Sequence, residues 1–369
     1  MGKQTSEEDG RDRGLTRRRL LAGGVVAAPT LALLHETVPH HGLHRALGGG
    51  EASAATGVEV GHDAHVGHTA STAHAAFARP GTVDHASNGF DPTEILRDFE
   101  YGRTRRLASG RVLREFELYA VDKEIEVAPG VTYPAWTYNG RVPGPTLRCR
   151  EGERLRIRFA NGSAHPHTIH FHGIHPALMD GMPGVGENRG GGPIAPGASF
   201  TYEFDAEPFG LHLYHCHISP LASHIARGLY GAFIVDPKQG RAPADELVMV
   251  MNGFDTNFDG TNEVYAVNTV GFHHVEDPVR VKRDELVRIY LVNILEFDFL
   301  NSFHVHANFF HYFPTGTSLQ PTEFTDTIIQ GQGQRGILEL RFPHPGRYMF
   351  HAHVSEFAEL GWTGFFEVS

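Results

Sequence analysis

Four His-x-His pairs stand in this sequence: His170/His172, His215/His217, His304/His306 and His351/His353. On a β-strand, residues i and i+2 leave the same face, so each pair presents two imidazoles side by side. Eight convergent imidazoles would hold a cluster of metal ions, and neutral imidazole suits zinc, copper, iron and nickel alike. One pair carries a softer donor as well. Cys216 lies between His215 and His217, and with His167 and His224 it offers two imidazoles and one thiolate. A His₂Cys set with a weak or missing axial ligand describes a blue-copper electron-transfer site, so copper is the expected metal. Five residues beyond His224, the axial position falls on Leu229, whose side chain cannot donate. A three-coordinate site that favours Cu(I) is the expectation. The two cysteines, Cys149 and Cys216, could instead form a disulfide in an exported protein. The histidines on both sides of Cys216 argue for the thiolate reading, with Cys149 a small strand residue.

The elements that would position these residues read as β. Arg114 to Val127 partly alternates, Leu155 to Phe159 alternates cleanly, and Pro-Gly turns recur at Pro129-Gly130, Pro143-Gly144 and Pro196-Gly197. Short strands at this spacing predict β-sandwiches or Greek-key barrels. The pattern also repeats. His304 lies 134 positions after His170, His351 lies 136 after His215, and Gly364 lies 133 after Gly231. A duplicated β domain is the economical explanation, with the junction near Pro237 to Ala244. The expected organisation is a signal region over 1–54, a His- and Ala-rich flexible segment over 55–98, a first domain over 99–240 and a second over 241–369.

Composition narrows the classes. The chain has 369 residues, a formal charge of −11, 43 Gly, 22 Pro and 26 His. The acidic balance disfavours nucleic acid, and no long apolar run in the body of the chain predicts a membrane span. Arg17-Arg18-Arg19 before a weakly apolar stretch, then Ala52-Ser53-Ala54, resembles a twin-arginine export signal. Such a route carries a folded protein out of the cytoplasm, to the periplasm, the cell surface or the medium. The leader includes His62, His65 and His68, which either gather metal ions or belong to a solvated linker.

Taken with Tyr138-Asn139-Gly140-Arg141-Val142-Pro143-Gly144-Pro145-Thr146, these motifs make residues 112–369 resemble a two-domain, laccase-like multicopper oxidase. The resemblance implies an all-β fold of two cupredoxin-like Greek-key sandwiches. It implies four coppers per subunit: type 1 at His167, Cys216 and His224, type 2 at His170 and His304, and type 3 at His172, His215, His217, His306, His351 and His353. The second repeat departs from the type 1 pattern, with Asn301, Ala352 and Phe357 where ligands would fall, so blue copper is expected in the first domain alone. Three-domain laccases are similar but carry theirs in the last domain. Asp180 resembles the family's proton-relay acid, with an Asp-Gly turn as the alternative, and Glu356 is a second candidate. The resemblance further implies a head-to-tail homotrimer with trinuclear sites at subunit interfaces.

The expected reaction couples one-electron oxidation of a phenol, aromatic amine or reduced metal ion to reduction of O₂ to water. Copper nitrite reductase is the competing enzyme, similar in Pro166-His167 and His172 but expected to carry Asp at position 170. A non-enzymatic copper-binding or electron-carrying protein is the third reading.

Overall fold

The computed structural model describes residues 80–182, 185 and 192–369, and all of these belong to one compact unit. The signal region and residues 55–79 of the His-rich segment lie outside the described residues. Four sheets carry the fold. In the first half, a five-stranded sheet runs in the order Phe99–Glu100, Thr146–Arg150, Tyr230–Asp236, Gly210–His215, His170–Phe171. Its partner contains Arg103–Arg106, Val112–Ala128, Arg154–Asn161 and Ser199–Asp205, with Val131–Tyr138 paired to the long second strand. The second half repeats the plan. Val264–Val267, Asp245–Phe254, Val287–Asn293, Arg335–Leu340, Phe310–Pro314 and Glu323–Thr325 form one sheet, and Val279–Val281, Thr363–Val368, Gly346–His351, Leu300–Val305 and Thr327–Gly331 form the other. Parallel pairs such as Val112–Ala128 with Arg154–Asn161 and Asp245–Phe254 with Val287–Asn293 join strands that are not consecutive, as crossover topology requires. The fold is all-β, two cupredoxin-like sandwiches with a few short helices.

Three apolar layers hold the sheets together, one inside each sandwich and one between them. Alternation explains how. Along Tyr230–Asp236, Phe233 and Val235 point into the first sandwich while Tyr230, Ala232 and Ile234 point into the middle layer. Along Asp245–Phe254, Leu247, Met249 and Met251 fill the second sandwich while Val248 and Val250 face the middle layer. Strands buried on both faces read as continuous apolar runs, which is why Leu-Val-Met-Val-Met shows no alternation in the sequence. The break between sandwiches falls between Asp236 and Asp245.

Residues 80–98 correct the expectation of a flexible segment. Two short helices, His85–Asn88 and Pro92–Ile95, are capped by the carboxylates of Asp84 and Asp91. Phe90 and Ile95 join the middle layer, and Leu96 joins the second core. The polar composition around them hid these few apolar anchors. Both cysteines are free and buried, so no disulfide forms. No helix among the described residues is long and apolar enough to cross a membrane.

Candidate metal centres

His167, Cys216 and His224 come together in the first sandwich, all three buried. Cys216 follows directly on the strand Gly210–His215, and the helix Leu221–Ala226 turns the chain back to return His224 to it. That helix accounts for the long spacing between the two residues. The Cys216 Sγ stands 3.3 Å from His224 Nδ1 and 3.7 Å from His167 Nδ1, and the two Nδ1 atoms are 3.2 Å apart. The outer nitrogen of His167 meets Ser163 Oγ at 2.9 Å, and Ser163 donates in turn to Asp122. This fixes the ring with Nδ1 facing the sulfur, the arrangement expected of an oriented ligand. The Thr168 N–H points at the sulfur from 3.5 Å. Burial pushes the Cys216 thiol up to about 11 and pulls His167 down to about 3 and His224 to about 4. Both rings are therefore neutral donors. Leu229 is fully buried, and its carbonyl accepts from the Cys216 N–H at 3.0 Å.

The four His-x-His pairs form two matching sets. His170 pairs with His215 across neighbouring strands, and His304 pairs with His351 in the same way. In the first set His172 Nε2 faces His215 Nε2 at 2.9 Å, and in the second His306 Nε2 faces His351 Nε2 at 2.9 Å. The opposite nitrogens are tied to the main chain: His215 Nδ1 to the Cys216 carbonyl at 2.8 Å and His351 Nδ1 to that of Ala352 at 2.6 Å. His217 stands 5.2 Å from His170 and His353 stands 5.3 Å from His304, ring centre to ring centre. Tethering one nitrogen to a carbonyl sets the tautomer and frees the other as a donor. Burial lowers His172, His215 and His351 below the ordinary imidazole range. The first set is half-buried or buried, whereas His306 and His353 are exposed.

Acid groups differ in their placement. Asp180 Oδ1 lies 3.0 Å from His170 Nδ1 and 3.4 Å from His175 Nε2, and the Asp180 carbonyl also accepts from His170 at 2.9 Å. Asp326 is its counterpart, with its carbonyl 3.0 Å from His304 Nδ1 and Thr327 Oγ1 at 2.8 Å. Glu356 is exposed and forms no hydrogen bond or ion pair with these histidines among the described residues. Sequence reasoning missed Asp326, Ser163, Asp122 and His175, since none lies in a His-x-His motif. Asp326 lies 146 positions after Asp180, outside the 133–136 offset of the repeat, so the duplication carried no signal for it.

The second sandwich has no thiolate site. Asn301 and Ala352 are fully buried, and Phe357 is buried in the apolar core. The Ala352 N–H donates to the carbonyl of Trp362 at 3.1 Å, just as Cys216 does to Leu229, so an indole stands where the first repeat has leucine. Among the described residues, no close ring pair within one chain joins the two histidine sets. Gly333 and Arg335 of the second sandwich border His172 instead.

Family models for multicopper oxidases match residues 120–240 and 241–369. A solved structure of a multicopper oxidase is 65% identical, with all of its chain and 78% of this one covered at a TM-score of 0.76. This chain belongs to the multicopper oxidase family. Relatives include a copper-containing nitrite reductase from Neisseria gonorrhoeae, 31% identical over 262 residues that cover 64% of this chain and 63% of that protein. The chain thus spans under two thirds of that relative's length. A solved copper nitrite reductase from Nitrosomonas europaea is 26% identical, covering 70% of this chain and 94% of that one at a TM-score of 0.62. Membership in the multicopper oxidase family implies copper, and the donor sets fit it: one buried thiolate with two neutral imidazoles, and two sets of oriented imidazoles.

Proposed function

We propose that this protein is an oxygen-reducing multicopper oxidase. One observation carries the reading: both histidine sets are complete, each with four rings and with His170 and His304 held alike by an Asp carbonyl. His167, Cys216 and His224 serve as the type 1 ligands beside a non-ligating Leu229. His170 and His304 are the type 2 pair, and His172, His215, His217, His306, His351 and His353 are the type 3 ligands. Copper so bound supplies one-electron steps and the four-electron reduction of O₂ to water. Peptide bonds join Cys216 to both His215 and His217, so the thiolate site and the first imidazole set share a covalent path. Asp180 holds a proton-accepting oxygen against His170 Nδ1. Near His224, the Trp136 ring at 4.8 Å is covered by the Arg227 guanidinium, which also lies over the exposed Phe258. An aromatic edge next to the outer ligand suits a phenolic or aromatic amine donor.

Two further observations support assembly of the sites between chains. The second set opens to the surface at His306 and His353, and Leu300 and Ile329 lie exposed on the strands that carry and border His304. Phe309 and Phe324 add an exposed pair of tilted rings 5.3 Å apart. An apolar rim around exposed ligands calls for a covering partner, and a head-to-tail trimer supplies one. Export by a twin-arginine route belongs to the same reading.

The similarity to copper nitrite reductases favours a second reading. Copper count separates the two: four per subunit for the oxidase and two for the reductase. Anaerobic reduction followed by an O₂ pulse tests the first directly. Prompt reoxidation of all coppers is expected, and a blue site that stays reduced would overturn the oxidase reading.

A further inference from the structure

Away from both histidine sets, His85, Asp91 and His273 bring three donor atoms within 4.8 Å of one another. They come from separate elements. His85 opens the helix His85–Asn88, Asp91 caps the helix Pro92–Ile95, and His273 opens the helix His273–Glu276 of the second sandwich. His273 Nε2 and Asp91 Oδ1 stand 3.5 Å apart. Two donors each about 2.1 Å from a tetrahedral metal lie roughly 3.4 Å from one another, so this spacing is that of a ligand pair.

One unpartnered atom points the same way: His85 Nδ1 is buried with no hydrogen-bond partner. Buried polar atoms without partners are costly and call for an explanation. The rings of His85 and His273 meet edge to face at 4.9 Å. The carboxylate is already aimed, because Asp91 Oδ1 accepts from the Thr93 N–H at 2.8 Å. Thr93 Oγ1 donates to Asp277 at 2.7 Å and lies 2.8 Å from His273 Nε2. A cation at Nε2 takes the neutral ring in its other tautomer, with the proton on Nδ1, while the Thr93 hydroxyl keeps its bond to Asp277.

We propose that His85, Asp91 and His273 form an additional site for a divalent d-block cation, zinc or copper(II), with water completing the coordination. Two imidazoles and one carboxylate with an open fourth position are a donor set such ions accept. The site staples the segment that precedes the first sandwich onto the second one. It is independent of the oxidase reading, since none of its residues belongs to the His-x-His pairs or the thiolate site.

The test compares the full chain with His85→Gln, Asp91→Asn and His273→Gln. Each protein is produced with sufficient copper, equilibrated with zinc sulfate and desalted, and total copper plus zinc is measured by mass spectrometry. The wild type should retain one metal equivalent more than each variant, at equal blue absorbance. Any metal held by the leader is common to all four proteins and cancels. Added zinc should raise the thermal midpoint of the wild type more than that of any variant. If His273→Gln does not fold, the half-buried His85 carries the comparison. Equal metal content in wild type and His85→Gln would overturn the proposal.

Discussion

The Asp180 carbonyl accepts a hydrogen bond from His170 Nδ1 at 2.9 Å, and the carboxylate of the same residue stands 3.0 Å from that nitrogen. The carbonyl orients the ring, and the carboxylate adds a titratable oxygen. Asp180→Asn removes the second without the first. Copper content should hold while O₂ consumption falls by about 10- to 100-fold and its pH profile changes. Oxygen-electrode rates across pH, with copper assayed in parallel, check this, and loss of copper instead would make Asp180 purely a ligand-orienting residue.

Stability in acid should track the buried histidines. Burial pulls His167 and His274 to about 3 and His212, His215, His224 and His273 to about 4, against an ordinary value of 6.5. The unfolded chain binds protons at these rings below pH 6.5 while the folded chain does not, so stability is present above 6.5 and drains away as pH falls toward 4. Each ring costs up to about 2 kcal/mol at pH 5. Six of them rival the whole stability of a domain. Urea unfolding of metal-free protein should give a midpoint that drops steeply between pH 7 and pH 5, and a flat midpoint would contradict it.

Arg148 joins the two sandwiches. Its guanidinium forks onto Asp236 of the first and Glu246 of the second, and Glu246 also takes Arg288 at 2.9 Å. Although burial works against its charge, these carboxylates hold the Arg148 pKa above the usual value. Arg148→Ala leaves carboxylates without their cation and should cost about 3 kcal/mol, more than an exposed ion pair would. Chemical denaturation at neutral pH measures it.

Ile329 is two-thirds exposed (67%) on the strand bordering His304. On the trimer reading, Ile329→Asp places a charge in the covered rim. Light scattering should then report a single-chain mass, with O₂ turnover lost and blue absorbance kept. A trimer that persists with full activity would count against an interface here.

Much of the candidate site's geometry was legible because His-x-His spacing survives translation into a strand: the register that pairs His170 with His215 also pairs His304 with His351. The thiolate set was legible for the same reason at Cys216, which sits beside two of those histidines. What escaped was whatever depends on tertiary packing. Asp326 reaches His304 from 22 residues away by a main-chain carbonyl, and any residue type could supply that atom. Residues 80–98 looked polar overall, yet Phe90, Ile95 and Leu96 are enough to dock them. The middle apolar layer was invisible too, since strands covered on both faces show no period to read.

Trp362 gives the duplication a direction. It stands at the position that corresponds to Leu229, its indole edge-on to Phe303 and Phe350 in the core that also holds Ala352 and Phe357. A thiol at position 352 would sit in a core rich in aromatic carbon, with no histidine at 301 or 357 to join it. A thiolate site in this half would need three replacements together, at Asn301, Ala352 and Phe357. The two halves are in that sense not interchangeable.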